Sequence, residues 1–206
     1  MGKESIGRNK EMSVIVVVSQ LNSARTLDRC LTSLVMQDYP SKVILVDGGS
    51  TDRTVKIAMN HDVVLEEAQG CTEAQGQRLA IDRHDSEIIC FTNSDCYVER
   101  DWVRRHVQWH EKGFDMVGGK LFWGGDDYGF AWSYPTPEGV SDSLISGLSL
   151  GWSNCSITRE LYDKLGIKDL VSQQDMDFWI RGIKKDMRFI MDPEIKVYHR
   201  RSLSRL

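Results

Sequence analysis

The chain lacks any apolar run long enough to cross a bilayer. Its longest clean run is Val14–Val18, against the roughly 20 residues a membrane helix needs. The first dozen residues, Met1 to Met12, are polar and charged and have no apolar core of the kind a secretory leader requires. Cysteine is sparse. Cys30, Cys71, Cys90, Cys96 and Cys155 are odd in number and widely spaced, and no C-x-x-C pair occurs, which argues against a disulfide framework or a structural zinc site. Reduced thiols fit a cytoplasmic protein, with a peripheral position at the inner membrane face left open. A surplus of positive charge is also missing. Lys and Arg number 26 against 30 Asp and Glu, a formal charge of -4, so a general nucleic-acid binder is not expected. No internal repeat or low-complexity tract is visible. The remaining composition, 41% hydrophobic and 27% charged over 206 residues, suits one sizeable globular domain.

Apolar patterning supplies the architecture. Val14–Val18 is continuously apolar and β-branched, the mark of a strand buried on both faces of a parallel sheet. Ala24, Leu27, Cys30, Leu31, Leu34 and Val35 are spaced as one face of a helix. The alternation repeats through Val43–Val46, a helix ending at Ala58, Val63–Leu65, a helix from about Thr72 to Arg83, and Ile88–Phe91. Four strand–helix alternations predict an α/β fold, a mostly parallel sheet with helices on both faces. A helix over Asp101–Lys112 and a strand at Met116–Gly119 follow. Residues 123–147 read as a long loop. Helices are expected near Arg159–Leu165 and Asp175–Lys184, and strands at Arg188–Ile190 and Ile195–Tyr198. The expected organisation is a polar tail over 1–12 and one domain over 13–206. A nucleotide-binding half covers about 13–97 and an acceptor half about 98–200. The basic end, His199 to Leu206, reads either as a natural tail or as the stump of a longer protein.

Ligands of open α/β sheets sit at the carboxyl ends of the strands. That rule selects Ser19–Asn22, Asp47–Asp52 and Asn93–Asp95, each a polar segment directly after an apolar strand. In Val46-Asp47-Gly48-Gly49-Ser50-Thr51-Asp52 the glycines allow a sharp turn and close backbone approach. Asp47 presents a carboxylate that can accept a hydrogen bond from a base edge. The plain alternative is a turn with a capping acid. In Asn93-Ser94-Asp95 two polar side chains at i and i+2 can meet one divalent cation and its phosphate ligands. Again a simple turn acid is the competing reading.

These segments resemble the family 2 glycosyltransferases, which have the GT-A fold. The family opens on an apolar strand ending near Asn, a helix ending Q-x-Y-P and a strand ending V-D-D/G-G-S-T-D. This chain has Asn22, Gln37-Asp38-Tyr39-Pro40 and the Val46–Asp52 run. The family's D-x-D matches Asn93-Ser94-Asp95, its E-D-x-D matches Gln174-Asp175-Met176-Asp177, and its late histidine matches His199. The resemblance covers nearly the whole chain in the expected order.

It implies transfer of a sugar from a UDP- or GDP-linked donor to a hydroxyl acceptor (a glycan, a lipid-linked sugar or another alcohol), with inversion and with Mn²⁺ or Mg²⁺. Asp47 would bind the base, with Ser19, Gln20 and Asn22 lining the same pocket and Asp52 supporting its loop. Asn93 and Ser94 would lie near the ribose or diphosphate. Asp95 would hold the metal, with His199 beside it. Asp175 would be the general base and Asp177 its more structural neighbour on the acceptor side. Trp152 and Asn154 fall in the acceptor region, where an aromatic face suits a sugar ring. Departures from the pattern are Ser19-Gln20-Leu21 for P-T-Y, Asn93 for the first acid of D-x-D, Gln174 for Glu, and Ala74-Gln75-Gly76 for A-R-N. Two other classes remain: a non-catalytic nucleotide-sugar-binding domain, and a nucleotidyltransferase. The second would want a Gly-rich basic loop after the first strand, which Ser19–Arg25 does not provide.

Overall fold

The computed structural model describes residues 11–123, 130–131 and 151–199. Nine strands form one sheet: β1 (Val14–Gln20), β2 (Lys42–Asp47), β3 (Val64–Glu67), β4 (Ile88–Asn93), β5 (Cys96–Val98), β6 (Met116–Trp123), β7 (Phe130–Ala131), β8 (Cys155–Thr158) and β9 (Phe189–His199). Their spatial order is β3-β2-β1-β4-β8-β6-β9-β5, with β7 on β6. Among the described residues six helices accompany them: α1 (Leu27–Val35), α2 (Thr54–Ala58), α3 (Glu73–Arg83), α4 (Trp102–Glu111), α5 (Arg159–Leu165) and α6 (Gln174–Ile183).

The first half follows the sequence pattern. β3, β2, β1 and β4 are parallel neighbours, and their side chains alternate between two cores. Ile15, Val17, Ile44, Val46, Ile89 and Phe91 face α3, α5 and α6. Val14, Val16, Val18, Val43, Leu45 and Cys90 face α1, α2 and α4. Both faces are dry along the middle of β1, β2 and β4, so the positions there are apolar on both sides, which is why Val14–Val18, Val43–Val46 and Ile88–Phe91 run without alternation.

The second half is less regular. β8 pairs antiparallel with β4 and with β6, β6 runs parallel to β9, and β5 closes the edge antiparallel to β9. Two of these strands, β5 and β8, have no counterpart in the sequence reading. The two short strands expected at 188–190 and 195–198 form one element, β9, interrupted in register. Gly119 pairs with Asp192 and the next residue, Lys120, with Lys196. Pro193 lies in the skipped stretch, where a missing N–H costs no ladder bond. At the same point Gly119 admits the neighbouring backbone. A Cβ there would fall 2.1 Å from the Ile195 carbonyl oxygen. Of the long loop expected over 123–147, only Trp123 and β7 fall within the described residues. Trp132, Tyr134, Asp126, Asp127 and the basic end after His199 lie outside them. Among the described residues no helix is long and apolar enough to cross a membrane.

Candidate active site

Parallel register places the first three polar segments side by side. Gln20 is level with Asp47, and Ser19 with Asn93. The loops that follow are clamped to one another. Asn22, in the left-handed region at φ 54°, accepts through Oδ1 from the backbone N–H of Thr51 at 2.8 Å and of Asp52 at 3.3 Å. Asp52 in turn accepts from the backbone N–H of Thr54 and of Ala24 and from the Thr54 hydroxyl. The Thr54 hydroxyl bond is the main cause holding its carboxyl below the usual range. Gly49 turns the β2–α2 loop with φ +102°, a conformation that suits glycine. Asn22 and Asp52 therefore shape the loop.

Asp47 is 5% exposed and largely occupied by its own surroundings. It accepts from the Gln20 amide, from the Ser50 backbone N–H and, at 2.6 Å, from the Ser50 hydroxyl. A carboxylate only accepts, so the Gln20 nitrogen must face it. The Gln20 oxygen then lies 3.2 Å from Ser50 Oγ. That hydroxyl has a single proton, and the shorter, charge-assisted bond to Asp47 takes it. Gln20 is thus left with an acceptor oxygen and one N–H. It lines the adjacent cleft.

This cleft has a volume of about 410 Å³. Ser19, Gln20, Leu21 and Gly48 form one wall, Asn93, Ser94 and Asp95 a second, and the start of α3 from Cys71 to Gly76 a third. Ser94 shares a hydrogen bond with Ser23 at 2.8 Å, and Asn93 donates to Ser153 Oγ at 2.8 Å. The Ser19 hydroxyl has no protein partner among the described residues. At the Asp95 end, β5–β9 pairing sets Cys96 opposite His199. His199 Nε2 reaches Asp95 Oδ2 at 3.2 Å, and ligand atoms of Asp95, Cys96 and His199 all lie within 4.8 Å. Burial, with Asp95 adding to it, pushes the Cys96 thiol up to about 12. Without a bound cation, this favours the thiol form, a weak ligand. The Asp95 carboxylate oxygen and the His199 imidazole nitrogen are a donor pair that could hold a divalent cation such as Mn²⁺ or Mg²⁺ with open positions.

The acceptor-side residues divide. Asp175 lies half-buried in the first turn of α6. Its Oδ1 accepts from the Met176 N–H at 2.8 Å, and its Oδ2 would sit 3.3 Å from a Cβ at position 151, where Gly151 leaves room. Asp177 pairs with Lys168 at 3.0 Å and Arg181 at 2.6 Å. Burial raises its pKa, but these two cations outweigh that and hold it low. Asp177 thereby ties the α5–α6 connection to α6. Trp152 and Asn154, expected on the acceptor side, are both buried. Trp152 is 4% exposed and packs on Phe91, with ring centroids 4.3 Å apart, and on Phe178. The Asn154 oxygen accepts from Trp102 Nε1 at 2.8 Å, and its nitrogen donates to the carbonyls of Lys120 and Ile195. Neither residue is among those that line this cleft.

One wall residue has no role in the sequence reading. Thr72 and Gln75 form a capping box at the start of α3, and both also donate to Asp169, at 2.7 and 2.6 Å. This fastens the segment before α6 to the cleft wall and uses the position where the family pattern carries Arg. Glu73 follows Thr72 directly and rims the cleft. The signal was the T-E-A-Q cap itself, which identifies a helix start without saying what it faces.

The comparisons with known proteins agree with this fold. The profile described as Glycosyl transferase family 2 matches residues 13–170. Glycosyltransferase AglE of Haloferax volcanii is 29% identical over 119 residues, 52% of this chain and 39% of AglE. The poly(ribitol-phosphate) beta-N-acetylglucosaminyltransferase TarS of Staphylococcus aureus is 28% identical over 102 residues, 45% of this chain and 18% of TarS. The chain therefore spans well under half the length of these relatives. In structure it resembles TarS 1-349 in complex with UDP-GlcNAc, with a TM-score of 0.77 at 18% identity over 94% of this chain and 60% of that one. It also resembles the mannosyltransferase PcManGT of Pyrobaculum calidifontis in complex with GDP-Man and Mn²⁺, with a TM-score of 0.72 at 20% identity over 93% and 57%. At these identities the likeness establishes the GT-A fold.

Proposed function

Because this chain belongs to glycosyl transferase family 2, we propose that it moves a sugar from a UDP- or GDP-linked donor to a hydroxyl acceptor with inversion at the anomeric carbon. One observation carries the reading. A single cleft joins the Gln20 amide, the Asn93–Asp95 turn with its His199 neighbour, and the start of α3. A base, a diphosphate and a sugar, covalently joined in that order, match this sequence of surfaces. The donors named for TarS and PcManGT, UDP-GlcNAc and GDP-Man, are the ones to test first.

In this reading Gln20 meets the base with its free oxygen and N–H, while Asp47 and Ser50 hold the amide in place. Asp95 and His199 would hold a divalent cation, which supplies neutralisation of the charge that develops on the leaving diphosphate. Asp175 accepts the proton of the attacking hydroxyl as that oxygen bonds to the anomeric carbon and the bond to the diphosphate breaks. The same proposal keeps the acceptor as a glycan, a lipid-linked sugar or another alcohol, with a peripheral position at a membrane face for the lipid-linked case. Calorimetry with UDP and GDP tests the donor side. Affinity should require Mn²⁺ or Mg²⁺, vanish with EDTA and drop at least tenfold in Asp95→Ala. Equal affinity with and without metal would overturn the metal assignment.

A further inference from the structure

Resting on that reading, we propose that Glu73 is a donor-sugar specificity residue. Its carboxylate accepts hydrogen bonds from the hydroxyls of an uncharged sugar and repels a uronate.

Three observations place it there. Glu73 lines the same cleft as Gln20 and Asp95. Its Oε1 accepts from Gln77 Nε2 at 3.1 Å, and Gln77 is only 3% exposed. Gln174, buried and directly before Asp175, and Asp175 itself lie close enough to act on the Glu73 carboxyl. Burial first, and then Asp175, push that carboxyl upward while the nearby Gln174 amide opposes them, although the residue as a whole is exposed. The buried Gln77 amide thus fixes one carboxyl at the cleft rim, near the proposed base.

Connectivity decides what that carboxyl meets. The diphosphate belongs at Asp95 and the attacking hydroxyl at Asp175. The sugar is the part of the donor that must lie between them, and Glu73 shares the cleft with Asp95 and lies within reach of the Asp175 charge. A carboxylate repels a diphosphate, so Glu73 is ill suited to bind the leaving group. It is well suited to hydroxyl donors, since charge-assisted bonds of this kind are short and strong. A sugar bearing its own carboxylate would bring two like charges together in a confined cleft.

The test compares nucleotide with nucleotide sugar on Glu73→Gln, which keeps the shape and removes the charge. Calorimetry in Mn²⁺ would use UDP, GDP, UDP-N-acetylglucosamine, GDP-mannose and UDP-glucuronate. UDP and GDP should bind within about twofold of wild type. The preferred uncharged nucleotide sugar should weaken by about tenfold, the range of a lost hydrogen bond to a charged group. UDP-glucuronate should bind more tightly to the variant than to wild type, a gain that misfolding cannot produce. Unchanged affinity for the uncharged nucleotide sugar, or a parallel loss for UDP-glucuronate, would overturn the proposal. A wild-type chain that binds neither UDP nor GDP would overturn the underlying reading as well, so the two failures are distinguishable.

Discussion

The two halves of the sheet solve the same problem by different means. In the first, three of the four parallel strands, β1, β2 and β4, end nearly level with one another, each on the polar residue it delivers: Gln20, Asp47 and Asn93. In the second, β8, β6, β9 and β5 pair across long gaps in the chain. Their key side chains meet only because of that pairing: His199 with Asp95, and Asn154 with Trp102, Lys120 and Ile195. The first half is held by two-sided apolar burial and short turns. The second adds buried polar links, which tolerate loss of a partner poorly. A function divided between donor capture and hydroxyl activation maps onto this division.

The largest expected effect separates the halves by chemistry. Asp175→Asn should leave UDP or GDP binding, a property of the first half, near wild type. It should lower transfer by at least a hundredfold, as expected for loss of a general base. Turnover close to wild type, measured with the donor that binds best, would remove Asp175 from its role.

Next in size is an acid sensitivity confined to the second half. His106 Nδ1 and His110 Nε2 both contact Ser156 Oγ, at 2.8 and 2.7 Å, and His110 Nδ1 donates to the Phe114 carbonyl. Burial lowers the pKa of His106 to about 3 and of His110 to about 4. Both are neutral in the folded protein, whereas the unfolded chain protonates them near 6.5. The stability they permit is complete above that value and falls as pH drops toward 4. Each loses about 1.4 kcal/mol per pH unit once well below 6.5, or about 4 kcal/mol for the pair by pH 5. Urea denaturation at pH 7 and pH 5 measures this, and Ser156→Ala should lower stability at both. A flat profile between pH 7 and pH 5 would show that the histidines are solvated.

The smallest of the three probes the seam itself. Asn154→Ala leaves Trp102 Nε1 and two strand carbonyls without their partner and should cost about 3 kcal/mol of stability. Nucleotide binding at temperatures where the variant is folded should change little. If thermal melting is unaffected, the seam is held by packing alone and Asn154 returns as an acceptor candidate.

Much of the first half could be read directly. Continuous β-branched runs identify strands buried on both faces, and polar triplets after them locate the cleft, because parallel strands with equivalent ends need no further information to align. β5 and β8 escaped notice because a three- or four-residue strand carries too little periodicity to stand out. The burial of Trp152 is hidden in the sequence for a related reason. An aromatic residue near the proposed base reads the same whether its ring faces solvent or Phe91.

What the sequence determined by itself is local: which segments are strands or helices, where turns must form, and which acids stand at strand or helix ends. Tertiary structure alone decided which of those acids meet. Register between β5 and β9 brought His199 to Asp95, and burial of α3 and α6 residues in one core set Glu73 near Gln174 and Asp175. The Ser50 proton, claimed by Asp47, left Gln20 facing the cleft. Each of these depends on distances between residues far apart in the chain. Backbone periodicity encodes the direction of a side chain, but not the partner that waits there.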